Sequence, residues 1–184
     1  MNPFSPLTAT LKNGKTVRIR EATPEDAENL LHCIKTYIPQ SEYIPKHPQE
    51  ITLTLKGEED WINSFLQKEN SMLLVAEHED RLIGNIDLTG SSRKIMEHTA
   101  MIGLGMLKEW RNTGLGTRLM QTTLQWARQN PTLELLWLQV YTQNKAAVRL
   151  YSNMGFTESG IIKNYFKCDG VYYDNLTMSL SVKS

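Results

Sequence analysis

The segment Arg111-Asn112-Thr113-Gly114-Leu115-Gly116 joins a strand-like run, Met101 to Leu107, to a helix-like run, Leu115 to Gln129. A strand that turns tightly into a helix aims main-chain N–H groups and the positive helix end at one spot, and the glycines let a ligand approach the backbone closely there. The junction reads as an anion site, so a phosphorylated ligand is expected. Two familiar phosphate loops are excluded by their sequence. A P-loop places Lys-Ser or Lys-Thr after its second glycine, whereas Thr117-Arg118 follows Gly116. A dinucleotide fingerprint needs a third glycine where this chain has Leu119.

A second segment, Asn144-Lys145-Ala146-Ala147-Val148-Arg149-Leu150-Tyr151-Ser152-Asn153-Met154-Gly155-Phe156, follows one helix-like and one strand-like stretch later. The R-x-x-G-x-G turn resembles the pyrophosphate loop of the GNAT superfamily, the acyl-CoA-dependent N-acyltransferases. The second segment looks like that family's N-x-x-A-x-x-L-Y-x-x-x-G-F block, and the similarity of layout runs from about Thr16 to Leu180. The resemblance implies an α/β domain over residues 7–181: a mixed, mostly antiparallel central sheet with helices on both faces, splayed at a bulged central strand. It implies acetyl-CoA as cosubstrate, with no metal.

The resemblance also distributes roles. The amides of Arg111, Asn112, Thr113, Gly114, Leu115, Gly116 and Thr117 would grip the pyrophosphate, with Arg111 in the cradle rather than a plain surface arginine. Gly103 and Gly105 interrupt a central strand, which marks a bulge or a close backbone approach. In similar proteins the pantetheine arm slots in there and bonds the free backbone of Leu104 and Met106. Asn144, Ala147 and Tyr151 share one helix face. By the motif, Asn144 bonds the pantetheine arm or the helix start, and Tyr151 donates a proton to the leaving thiolate; aromatic packing is the plainer alternative for Tyr151.

The base is where the pattern breaks. Relatives often carry a glutamate on the fourth main strand or beside the opening on the next one, and those positions hold Ala100 and Gln139. His98 lies two residues before Ala100, with an unperturbed pKa of about 6.5, and is the candidate base, directly or through water. Tyr165, Phe166, Tyr172 and Tyr173 either wall an acceptor pocket or pack the last strands, and Asp174 is either a surface carboxylate or an anchor for a cationic amine.

The 184 residues with 40% hydrophobic content suit one domain with a substantial core. Lys and Arg total 20 and Asp and Glu total 20, so no global field attracts nucleic acid or an anionic membrane. Met1 to Thr10 lacks a basic start followed by an apolar stretch, and no run reaches the ~18 apolar residues of a membrane span. A soluble, cytoplasmic protein is expected. Cys33 and Cys168 lack metal or disulfide spacing.

Along the chain, Leu7 to Leu11 and Lys15 to Glu21 read as a hairpin with a type I′ turn at Asn13-Gly14. Thr23-Pro24-Glu25-Asp26 caps a helix ending near Tyr37. Ile38 to Gly57, with Pro39, Pro45 and Pro48, reads as a loop, which the resemblance implies helps form the acceptor pocket, and Glu58 to Gln67 reads as a second helix. Strands at Ser71 to Glu77, Leu82 to Thr89 and Thr99 to Leu107 precede the anion turn. Leu135 to Tyr141 is a buried strand, Lys145 to Met154 a helix stopped by Gly155, and Phe156 to Tyr165 with Val171 to Leu180 a hairpin around Asp169-Gly170.

Two functions compete. One is an enzyme moving an acetyl group from acetyl-CoA to a primary amine by direct attack in a ternary complex, the acceptor being a small molecule or a protein N-terminus or lysine. The other is a non-catalytic acyl-CoA-binding sensor or partner-docking module, favoured by the missing glutamates. Homodimers are common among similar proteins, and no residue here selects or excludes one.

Overall fold

The computed structural model describes residues 4–45 and 52–183. Pro48 of the proline-broken stretch lies outside them. Eight strands form one sheet: β1 (Leu7–Thr10), β2 (Thr16–Glu21), β3 (Met72–His78), β4 (Arg81–Gly90), β5 (Thr99–Met106), β6 (Leu135–Tyr141), β7 (Thr157–Cys168) and β8 (Val171–Ser181). Their order is β1-β2-β3-β4-β5-β6-β8-β7, and every neighbouring pair is antiparallel except β5 with β6. Helices α1 (Ala27–Tyr37), α2 (Leu55–Leu66), α3 (Leu115–Gln129) and α4 (Lys145–Asn153) complete the α/β architecture.

The strands form where the apolar pattern allows. Val17 and Ile19 of β2 are buried while Arg18 is exposed, the alternation of a strand covered on one face. Met72 to Ala76 of β3 are all buried, as a strand covered on both faces requires. Each leucine or isoleucine taken fully out of water in this core stabilises the fold by roughly 1.5–3 kcal/mol. Alternation along β5 assigns the helices to faces. A Cβ added at Gly105 would collide with the Tyr37 ring of α1, whereas one at Gly116 would meet Leu104 and Met106 from α3. So α1 and α2 cover one face and α3 covers the other.

Turn chemistry follows the residues, with two departures. Asp169 and Gly170 have φ of 48° and 81°, the left-handed pair of a type I′ turn, as expected. At Asn13-Gly14 only Gly14 is left-handed (φ 78°), and Leu11 pairs with Lys15 around a three-residue loop. That is a type I turn with a glycine bulge rather than the expected type I′ turn. The second helix starts at Leu55, not Glu58, because the Thr54 side chain accepts the Gly57 N–H at 3.1 Å and caps an earlier first turn. The loop after α1 therefore ends sooner than the sequence suggested. Among the described residues no helix is long and apolar enough to cross a membrane.

One partly buried ion network ties the first helix to the sheet. Arg20 of β2 donates to both oxygens of Asp26 at 2.6 and 2.8 Å and to Glu77 of β3 at 2.9 Å, and Asp26 accepts the Thr23 N–H at 2.8 Å. Burial opposes the Asp26 charge, but the bonds from Arg20 and Thr23 outweigh it and hold the carboxyl below the usual carboxylate range. Its stabilisation is therefore present above the unfolded-state pKa of about 4 and is lost as pH falls through the lower folded value. Asp26→Ala should cost about 2–3 kcal/mol in urea unfolding at pH 7, and the difference from the parent should shrink at pH 2.

Candidate active site

β5 and β6 run together for only three residue pairs, Thr99 with Leu135, Ala100 with Leu136 and Met101 with Trp137, and then part. The expected splay is present. The ladder to β4, however, continues without a register shift from Gly90–Ala100 to Gly84–Met106, so the expected bulge is absent from it. The Leu107 N–H bonds to Ile83 O of β4 at 3.0 Å. By alternation Gly105 and Gly103 also direct their peptide groups towards β4, and Leu104 and Met106 direct theirs into the opening. Those groups line a free strand edge.

The turn after β5 sits at one end of this edge. Lys108–Trp110 forms a 3-10 turn, Asn112 has φ 62°, and Gly114 at φ 95° is the left-handed cap from which α3 starts. The Arg111 N–H is spent on Lys108 O at 3.2 Å and that of Leu115 reaches Thr113 Oγ1 at 3.4 Å. The amides of Asn112, Thr113, Gly114, Gly116 and Thr117 bond no described residue. The set free for an anion is thus smaller than the sequence suggested, since the Arg111 amide drops out. Its guanidinium donates to Gln40 O at 2.9 Å, while Gln40 Oε1 accepts the Lys108 N–H at 3.0 Å. From the other side the Lys12 N–H bonds Thr113 O at 2.9 Å, and the Lys12 stem lies beside Gly114.

α4 starts where β6 ends. Asn144 accepts the Ala147 N–H through its side chain at 3.2 Å, so of its two expected uses the helix cap is the one made. Tyr151 is buried, near the Phe156 ring, and burial pushes its hydroxyl up to about 12. That keeps a proton on it at neutral pH. Gly155 (φ 94°) stops the helix as expected, with the Phe156 N–H returning to Tyr151 O at 3.1 Å.

The sheet face under α1 and α2 is different in character. Tyr37 of α1 donates to Asn85 Oδ1 at 3.0 Å, and Gly105 opposite Asn85 leaves room for the ring. Two residues along, Asp87 lies opposite Gly103, and a Cβ at 103 would collide with its carboxylate. Of the readings offered for these glycines, close approach is the one realised. Asp87 accepts from Thr89 Oγ1 at 3.1 Å and keeps a partly open surface, while burial pushes its carboxyl up to about 6. The sequence reading passed it over. Its signal was a lone carboxylate between Ile86 and Leu88, both buried.

The other candidates fall as follows. His98 sits in the turn before β5, where its carbonyl accepts the Glu134 and Leu135 amides. About 13 Å of strand separates Thr99 from Gly103, so His98 stands at the closed end of the strand pair. Ala100 is buried on the α3 side, and Gln139 is exposed on the opposite face. Phe166 stacks on Tyr141 with ring centroids 3.9 Å apart, and Tyr43 and Tyr173 flank Tyr141 at 5.7 and 5.8 Å. Tyr165 only edges this group, and Tyr172 is exposed under Lys167. Asn175, buried opposite Tyr141, has no side-chain hydrogen bond among the described residues. Asp174 is no free anchor: it binds Lys163 Nζ at 2.7 Å and the Asn164 N–H at 2.9 Å. Among the described residues no group of three or more His, Cys, Asp or Glu side chains could hold a metal ion.

Residues 35–156 match the acetyltransferase (GNAT) family. The chain belongs to that family. As a GNAT member it is an acyl-CoA-dependent acetyltransferase with acetyl-CoA as its donor. It is similar to an N-alpha-acetyltransferase of Sulfurisphaera tokodaii, 22% identical over 86% of this chain and 90% of the relative. Among solved structures it resembles a GNAT acetyltransferase from Streptococcus pneumoniae (TM-score 0.85, 28% identity, 90% of this chain and 99% of the other). It also resembles YncA of Salmonella typhimurium, solved with its cofactor acetyl-CoA (TM-score 0.81, 18% identity, 91% and 95%). The fold is thus common to proteins of low identity.

Gly114→Val forces a branched side chain into a left-handed conformation at the free amides. It should abolish acetyl-CoA binding measured by calorimetry while leaving the far-ultraviolet circular dichroism unchanged, and Asn112→Ala should bind nearly as the parent does.

Proposed function

We propose that this GNAT domain, over residues 7–181, moves the acetyl group of acetyl-CoA onto a primary amine by direct attack in a ternary complex. The observation that carries the reading is the parted strand pair. A free backbone edge at Leu104 and Met106 runs between the unpaired amides after β5 and a face bearing a partly open carboxylate. The pyrophosphate lies against the amides of Asn112, Thr113, Gly114, Gly116 and Thr117 at the positive end of α3. The pantetheine amides take the place of the missing strand along Leu104 and Met106. That extended arm delivers the thioester into the opening.

Tyr151 supplies a proton to the departing thiolate. Its burial and raised pKa support a hydroxyl that is protonated at working pH and short of competing partners. Neither cysteine lies in the turn after β5, along the parted strands or on α4: Cys33 is buried in α1, its thiol pushed up by burial to about 12, and Cys168 is exposed at the last hairpin. Attack by the amine itself, with no acyl-enzyme, is the reading that this arrangement supports. Free thiols also suit a reducing compartment, and we assign the enzyme to the cytoplasm.

For the acceptor, the activities for which similar proteins are named favour α-amines. Besides the N-alpha-acetyltransferase, the chain is similar to an enzyme of Salmonella typhimurium named for the alanine of ribosomal protein bS18, at 24% identity over 53% of this chain and 71% of that protein. The Tyr43, Tyr141, Phe166 and Tyr173 rings form the acceptor wall. Mixing the protein with acetyl-CoA and a panel of α-amino acids, alanine-led peptides and other primary amines should release CoA thiol and give products heavier by one acetyl group. Tight acetyl-CoA binding without thiol release from any amine would instead support a sensor. Tyr151→Phe should lower kcat on the order of 10²-fold with acetyl-CoA affinity retained, as read by steady-state kinetics and calorimetry.

A further inference from the structure

The sheet face under α1 and α2 holds one carboxylate that no cationic side chain pairs among the described residues. Asp87 lies in the interior of β4, a position where a charged residue is costly unless paired. No Lys, Arg or His side chain bonds it among the described residues; the side-chain donor it has is the Thr89 hydroxyl, on Oδ2. A charged network lies elsewhere, where Arg20 of β2 and Glu77 of β3 meet Asp26 at the start of α1. The room Asp87 occupies has been cleared for it, because Gly103 across the ladder has no side chain. Gly103 is two residues past the last β5–β6 pair, so the carboxylate stands where the opening begins.

The surroundings suit traffic from solvent. Met101, on the same face of β5, is 38% exposed, and Gln139 of β6 is exposed on that face too. An amine can therefore reach the opening over this face while the coenzyme arm occupies the strand gap. We propose, resting on the acetyl-transfer reading above, that Asp87 is a catalytic residue: the proton acceptor for the attacking amine.

The proton balance closes. An arriving ammonium gives one proton to Asp87, which releases it to solvent at its open edge. The neutral nitrogen attacks the thioester carbonyl carbon, the C–N bond forms, the C–S bond breaks, and sulfur leaves with the electron pair. Tyr151 protonates that sulfur. The second nitrogen proton leaves through Asp87 and, by way of solvent, restores Tyr151. The net products are amide, CoA thiol and one proton.

The groups facing Asp87 fix the sign of its pH response. α1 contributes Tyr37 and, one turn earlier, Cys33, both held above their ordinary pKa by burial and so neutral, and α2 contributes Glu58 near Tyr37. β3 contributes apolar Leu73 and β5 contributes Gly103. With its carboxyl near 6, Asp87 is ionised at neutral pH and ready to accept a proton. Activity then falls as pH drops through about 6.

The test uses the full chain, acetyl-CoA and a short peptide with a free N-terminal alanine, together with the amine panel. Asp87→Asn keeps the size of the side chain. It should lower kcat/KM on the order of 10²-fold at pH 7, retain acetyl-CoA affinity and remove the acid limb of the rate profile. The deficit should shrink above the amine's own pKa, where solvent supplies the neutral nucleophile; a merely structural defect would not recover with pH. Carboxyl-labelled NMR of the parent protein should find the Asp87 resonance titrating near pH 6, whatever the variant's folding. Full turnover of Asp87→Asn with an unaltered profile, or titration of Asp87 near pH 4, overturns this proposal alone. Acetyl-CoA binding with no thiol release by the parent on any amine overturns the acetyl-transfer reading and this proposal with it.

Discussion

A strand inside a sheet must place its peptide groups somewhere, and β5 does so on one side only. Its ladder with β4 is complete, while its pairing with β6 ends at Met101. The N–H and C=O groups of Leu104 and Met106 are left to an outside partner, and a buried peptide group without one costs free energy comparable to a lost hydrogen bond. This single interruption organises the site. The turn of free amides lies at the end of the exposed edge, α4 springs from the strand that has swung away, and the carboxylate of β4 sits where the strands part.

The two faces of β5 then divide the work by alternation. Leu104 and Met106 point to α3, where they pack near Gly116 at the helix start. Gly103 and Gly105 point to α1, where their missing side chains admit Asp87 and Tyr37. Had the large and small residues been exchanged by a one-residue slip, every one of these placements would be lost. Register against β4 is therefore what sets Leu104 and Met106 on the α3 side at the same level of the sheet as Asp87 and Tyr37 on the α1 side.

What the sequence made legible was local. Gly114 is the glycine of a tight turn, Gly155 stops a helix, Asn144 stands at a helix start, and Asp169-Gly170 is a hairpin turn, each a statement about a few consecutive residues. The Thr54 cap was equally local but was not read, because the proline-broken stretch before it drew the helix start towards Glu58. What stayed hidden was pairing between distant residues. Asp87 opposite Gly103, Phe166 on Tyr141 and Arg111 on Gln40 join segments far apart in the chain, and no periodicity encodes them. His98 shows the same difficulty from another side. Alternation gives its face, but which end of the strand opens depends on β6. The Arg111 amide was misjudged because the residues do not announce that Lys108–Trp110 coils into a 3-10 turn and consumes it.

Gln40 has a mechanical corollary. Its carbonyl and side chain hold Arg111 and the Lys108 amide, so the chain leaving α1 is moored to the corner after β5, and Tyr43, three residues on, rests against Tyr141. The corner after β5 and the aromatic cluster around Tyr141 are thus linked through one glutamine. A shift of that corner would therefore be carried through three residues of chain to the ring of Tyr43, so the strand end and the distant aromatic cluster are mechanically joined by a contact that neither of them makes directly.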